Sequence, residues 1–140
     1  MATITAKKIT DLGVSSSMST CAEGGDDFVN TGIEFIRVQN THASQPYTVK
    51  VKAQRLAYKH PTYGSLIKEN VYQAVVHPGS TGANSVYIGP FKANSFNTVT
   101  NKVQVFYKDG SVLTDADFDA ADDIGSGAHL LKIEVLYLEN

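Results

Sequence analysis

The run Ile33-Glu-Phe-Ile-Arg-Val-Gln-Asn-Thr-His-Ala-Ser-Gln-Pro-Tyr-Thr-Val-Lys-Val-Lys-Ala-Gln54 holds two stretches of period-2 alternation separated by a short polar loop. In the first, Ile36 and Val38 share one face and Ile33 and Phe35 the other, as successive strand side chains point to opposite faces. Apolar residues on both faces mark a central strand, or one covered by another subunit. In the second, Tyr47, Val49, Val51 and Ala53 are expected inside, with Thr48, Lys50, Lys52 and Gln54 facing solvent. The spacing predicts that the two runs pair as an antiparallel hairpin.

Working outward, the same period recurs. Residues 71–77 read as a strand closed by the turn Pro78-Gly-Ser-Thr-Gly82. In Asn84-Ser-Val-Tyr-Ile-Gly-Pro-Phe-Lys-Ala-Asn-Ser-Phe-Asn97, Val86 and Ile88 alternate with Ser85 and Tyr87. Gly89-Pro90 then ends the pairing, because proline donates no ladder hydrogen bond. Phe91 and Phe96 bracket the polar stretch beyond as apolar anchors. Val103, Val105 and Tyr107 alternate with Gln104, Phe106 and Lys108 before the turn pair Asp109-Gly110. The last strand, 130–138, places Leu131, Ile133, Val135 and Tyr137 on one face. Leu130, Leu136 and Leu138 lie on the other, with Lys132 and Glu134. Residues 56–70 read as a loop with aromatic anchors, broken by Pro61 and Gly64. The one helix candidate is 114–124. Strands punctuated by Gly, Pro and Asn turns predict an all-β chain, an antiparallel sandwich or barrel over residues 28–140.

Residues 1–27 read as an extended N-terminal arm. Ile4, Ile9, Leu12 and Val14 are loosely spaced around Lys7 and Lys8, allowing a short edge strand. The polar, glycine-rich runs Ser15-Ser-Ser-Met-Ser-Thr20 and Glu23-Gly-Gly-Asp-Asp27 favour loop. Together with Leu136 and Leu138 of the last strand, Ile4, Lys7, Lys8, Ile9, Leu12 and Val14 are the candidate partner interface.

The 140 residues suit one domain, and a net charge of −2 lacks the electrostatic footprint of a nucleic-acid binder. A single cysteine, Cys21, forms no internal disulfide, which suits assembly in a reducing cytoplasm. Without a secretory hydrophobic region or a run of about 18–20 apolar residues, neither secretion nor membrane anchoring is expected. Six aspartates fall between Asp109 and Asp123 with no Lys or Arg, so that segment carries −6 and the rest of the chain +4. Asp115, Asp117 and Asp119 alternate like the start of a calcium loop. The likeness fails at Ala120, where glycine is needed, and at Ser126, where a bidentate glutamate is needed. A solvated acidic loop over 109–127, or a docking patch for a basic partner, is the reading kept. His42, His60, His77 and His129 form no local metal-ligand pair. Cys21 has no protease-type surroundings, and no phosphate loop or nucleophile elbow is present. No catalytic, cofactor or metal residue is assigned, and an enzyme is not expected.

From Asn30 onward the order of features resembles the capsid decoration, or cement, proteins of tailed phages. The likeness rests on Asn30-Thr-Gly-Ile-Glu-Phe-Ile-Arg-Val-Gln-Asn40, Tyr47-Thr-Val-Lys-Val51, Pro78-Gly79-Ser80, Ile88-Gly-Pro-Phe91, Phe96-Asn97 and Val103-Gln-Val-Phe-Tyr107, followed by the terminal apolar strand. It departs at 56–70 and 109–127. The resemblance implies an antiparallel, jelly-roll-like β-sandwich and a non-enzymatic virion protein, made in the host cytoplasm, that binds the major capsid protein on the outer shell and clusters there as a homotrimer. Neither nucleic acid nor membrane is expected as a partner. The alternative is a jelly-roll carbohydrate-binding or adaptor module of a phage tail or neck, with Tyr58, Tyr63, Tyr72 or Tyr87 as a stacking platform.

Overall fold

The alternating runs become strands of two packed sheets in a computed structural model, which describes residues 1–54, 57–60, 62, 64–67, 72–79, 82–110 and 130–138. In the first sheet, β1 (Ala2–Ile4), β4 (Asp26–Val29), β11 (Lys102–Asp109), β6 (Tyr47–Val51) and β9 (Tyr72–Val76) lie side by side in that order. In the second the order is β10 (Ser85–Ile88), β5 (Phe35–Asn40), β12 (Leu131–Leu138) and β2 (Lys7–Ile9). A further two-residue strand, β3 (Ser19–Thr20), joins the same side of β12 as β2. Ile36, Val38, Val49, Val51, Val103, Val105, Leu131, Ile133 and Val135 meet between the sheets with no exposure. Each such side chain contributes roughly 1.5–3 kcal/mol relative to being left in water.

Both sheets are mixed, where antiparallel sheets were expected. β1 runs parallel to β4, and β2 parallel to β12, while the remaining pairs are antiparallel. The cause lies at the N-terminus. The chain lays β1 along the edge of the first sheet, crosses at Thr5–Ala6, and lays β2 along the edge of the second. The three short strands of the first twenty residues, β1, β2 and β3, therefore pair with the chain's own strands.

The predicted hairpin between residues 33–39 and 47–54 does not form. β5 pairs with β10 and β12, and β6 pairs with β11 and β9, so the two strands belong to opposite sheets. Fully buried Asn40 holds the crossing. Its Nδ2 donates to the carbonyls of Gln45 at 2.7 Å and Val76 at 3.2 Å, and its Oδ1 accepts from the His42 N–H at 2.8 Å. The His42 ring in turn accepts from the Ser44 and Gln45 N–H groups. A buried amide that satisfies loop backbone on both sheets fixes a bridge that alternation cannot reveal. Lys50 is a second correction: expected on a solvated basic face, it is fully buried, as is Thr48.

Residues 26 and 27, expected in a loop, begin β4. Gly25 makes the entry, at φ +96°, where a Cβ would stand 2.5 Å from the Val105 carbonyl oxygen. The expected loop 56–70 contains a small hairpin, β7 (Ala57–His60) with β8 (Gly64–Ile67), on its own two-stranded sheet. The helix candidate 114–124 and the acidic loop beyond Gly110 lie outside the described residues.

Phe91 and Phe96 are buried anchors, as the sequence indicates. One helical turn, α1 (Ala93–Phe96), sets Phe96 edge-on to Phe91 at 5.6 Å between ring centroids, and Phe91 meets Phe28 at 5.7 Å. The polar side of this corner is closed by a pair of amides. Asn30 Nδ2 donates to the Phe91 carbonyl at 2.9 Å and to Asn97 Oδ1 at 2.6 Å, and Asn97 Nδ2 returns a bond to the Asn30 carbonyl at 2.9 Å.

Candidate interaction surface

The register of β2 with β12 brings most of the sequence-predicted interface residues together: Leu136 faces Lys7, Tyr137 faces Lys8 and Leu138 faces Ile9. Ile4 stands apart on the other sheet, packed against the core. Leu136 is buried and offers little surface, whereas Leu138 is 58% exposed. Directly after Ile9 comes a tight turn, with the Gly13 N–H on the Thr10 carbonyl at 2.8 Å and the Leu12 N–H on Thr10 Oγ1 at 3.3 Å. At its tip Leu12 is 99% exposed, and Val14 follows, partly exposed.

Strand directions gather further apolar residues around these. β12 ends at Leu138, β2 at Ile9 and β10 at Ile88, while β5 begins at Phe35, all at one end of the second sheet. On the first sheet, Val29 pairs with Lys102, so β4 ends and β11 begins at this same end, linked to β5 through residues 30–34. Of the eight large apolar side chains exposed among the described residues, Leu12, Val14, Val29, Ile33, Val99 and Leu138 all lie at this pole. The concentration matters because scattered exposed leucines are ordinary and a gathered patch is not. Between them, Gly32, Ile33, Phe35, Pro90 and Leu138 line a cleft of about 220 Å³. Ile33, Val29 and Val99 were not legible as surface residues. The one available signal was Val99 standing alone in the polar run Thr98-Val-Thr-Asn101.

A charged cluster lies on the outer face of the second sheet. Glu134, only 3% exposed, accepts from Lys7 Nζ at 2.6 Å, Arg37 Nη1 at 3.2 Å and Ser16 Oγ at 3.3 Å. Burial pushes its carboxyl up, but the Lys7 hydrogen bond and charge, with Arg37 and Ser16, outweigh it and hold it below the ordinary value. Lys7 also donates to the Ser17 carbonyl at 3.0 Å, so this cluster ties the N-terminal segment to β12. Arg37 lies 5.9 Å from the ring centroid of exposed Tyr87, whose ring is also tilted against that of Phe35 at 6.4 Å between centroids. A polar depression of about 320 Å³ opens beside the cluster, lined by Thr3, Ile4, Thr5, Lys7, Ser17, Ser19 and Glu134.

A second titratable group is internal. Tyr107 Oη donates to Asp26 Oδ2 at 2.7 Å and the Ala22 N–H donates to the same oxygen at 3.1 Å. Among the described residues Asp26 Oδ1 has no hydrogen-bond partner. Burial raises the Asp26 carboxyl, only partly offset by those two bonds. Burial likewise pushes the neighbouring Cys21 thiol up to about 12. A thiol so protonated and so covered is an inert core group rather than a nucleophile. His42 is spent on its loop, and His77 is exposed on the connection after β9. Among the described residues no group of three or more His, Cys, Asp or Glu is placed to hold a metal ion.

The class that these features define is a mixed, two-sheet β-sandwich with an apolar core, an apolar pole and individual buried polar groups. No protein-family model, curated protein or solved structure matches the chain.

Proposed function

We propose that this chain is a non-enzymatic structural protein of a phage virion that binds the outer surface of the capsid shell and stabilises it. One observation carries the reading. The separated sequence pieces on which the resemblance rests, Asn30-Thr-Gly32, Ile88-Gly-Pro-Phe91 and Phe96-Asn97, meet in a single hydrogen-bonded corner through Asn30, Phe91 and Asn97. Pieces that are far apart in sequence and join in space form a structural unit, which is what a shared scaffold requires. The reading includes jelly-roll-like wrapping, supported by early strands lying beside late ones, β4 with β11 and β5 with β12. It also includes residues 1–27 as the segment that meets the shell, supported by the exposed stretch from Thr10 to Ser17.

The carbohydrate-binding alternative gains no comparable support. Of its four tyrosines only Tyr87 has a described side chain, and its ring is in contact range of Phe35 and Arg37.

Co-sedimentation with emptied shells of the encoding phage tests the proposal. The chain is expected to pellet with shells. Alanine replacement of the exposed residues Asp11, Leu12, Val14 and Ser15, which leaves β1, β2 and β3 paired, is expected to reduce the bound fraction while the far-ultraviolet circular dichroism stays β-type. Failure of the full chain to pellet overturns the reading.

A further inference from the structure

We propose that the apolar pole is a head-to-tail contact between copies of this chain, in which the Leu12 turn of one copy seats in the Ile33–Phe35–Pro90–Leu138 cleft of the next. The inference stands on the pole itself and does not rest on shell binding.

Knob and hole are both present on one molecule. Leu12 is held at full exposure by a turn with its own hydrogen bonds, so its ordering cost is largely met before contact. An apolar cavity of about 150 Å³ takes up benzene, so a cleft of about 220 Å³ accepts an isobutyl group. Because Leu138 pairs with Ile9, and the turn follows Ile9 directly, a copy's own Leu12 stands beside its cleft, on the side away from Pro90. The knob therefore serves a neighbour.

Charge selects the occupant. Asp11, exposed, precedes Leu12 in the turn, and Lys92, exposed, lies two residues beyond Pro90. Among the described residues neither side chain has a hydrogen bond or ion pair. With Leu12 of one copy in the cleft of the next, Asp11 approaches the neighbour's Lys92, an opposite-charge pair that fixes the register of the contact. The acid stands on the knob and the base beside the cleft, so the knob of one copy complements the cleft of another. The two charges give no basic excess of the kind that draws a protein to anionic lipid. Knob and hole are different surfaces, so the contact is heterologous and closes into a ring when the rotation permits.

Sedimentation velocity across a concentration series tests this with four exposed-site variants of the full chain. The wild type is expected to exceed the 15.1 kDa monomer mass. D11K and K92D should each weaken association about tenfold, D11K/K92D should restore it, and L12D should abolish it. A wild type that stays monomeric throughout overturns the proposal, as does a double variant no better than the singles. Leu12-dependent flotation with phosphatidylcholine vesicles by a monomeric chain overturns it in favour of a lipid surface. Pelleting of the same variants with shells reads out the shell-binding proposal separately.

Discussion

Asp26 and Glu134 are carboxylates of nearly equal burial, at 1% and 3% exposure, that the fold treats in opposite ways. Glu134, on the outer face of the second sheet, has two cations within 3.2 Å. Asp26, at the start of β4 in the first sheet, has a phenol, one backbone N–H and, among the described residues, an oxygen with no partner. Burial alone raises both, so the difference lies in what each carboxylate faces. Glu134 is held below its ordinary 4.5. Its stabilising contribution is present above that value and is lost as pH falls through the folded-state pKa. Asp26 is held above its ordinary 3.8. Its contribution is present below that value and is lost as pH rises through the folded-state pKa. At neutral pH one carboxylate clamps the fold and the other strains it.

The largest expected effect comes from neither. Phe91 packs on Phe28, two residues along β4 from Asp26, so Phe91→Ala should cost about 3–5 kcal/mol in chemical denaturation. An unchanged midpoint would show that the anchors do not hold the corner. Glu134→Gln removes a charge-assisted acceptor from Lys7 and Arg37, both partly exposed and able to rehydrate. A loss of about 1.5–3 kcal/mol is expected at pH 7 and much less at pH 3. An equal loss at both would break the comparison on the Glu134 side. Asp26→Asn should gain about 1 kcal/mol at pH 7 and nothing at pH 3. Destabilisation at pH 7 would mean that the buried Asp26 carboxyl is satisfied after all. Smallest is the chemistry of Cys21. With its thiol pushed up to about 12, alkylation by iodoacetamide at pH 8 should be negligible in the native chain and complete in denaturant.

Strand existence was legible wherever alternation was clean: β5, β6, β11 and β12 each appear where period 2 places them. Strand partnership was not. Alternation names the face a residue takes but not the sheet its strand joins. Asn40, which decides that β5 and β6 part company, looks in sequence like an ordinary loop asparagine. β4 was hidden because Gly25-Asp26-Asp27 has turn composition, and only Tyr107 and Lys102, about eighty positions away, turn those aspartates into strand residues. Lys50 misled for a related reason, since a lysine opposite apolar neighbours normally faces water. At the candidate surface, Leu12, Val14 and Leu138 could be named from their setting. The Glu134 cluster and the pole as a whole could not, because they assemble residues that only the strand register brings together.

The crossing of the N-terminal segment from one sheet to the other also sets an order of events in time. Lys7 and its partner Glu134 are separated by 127 residues. At roughly 5–20 residues per second of synthesis, β2 emerges several seconds before the strand it pairs with exists. The segment that clasps both sheets is thus made early and docks late. Until β12 arrives, residues 7–9 have no native partner, and this interval is when they are open to a chaperone, a protease or the growing edge of another chain.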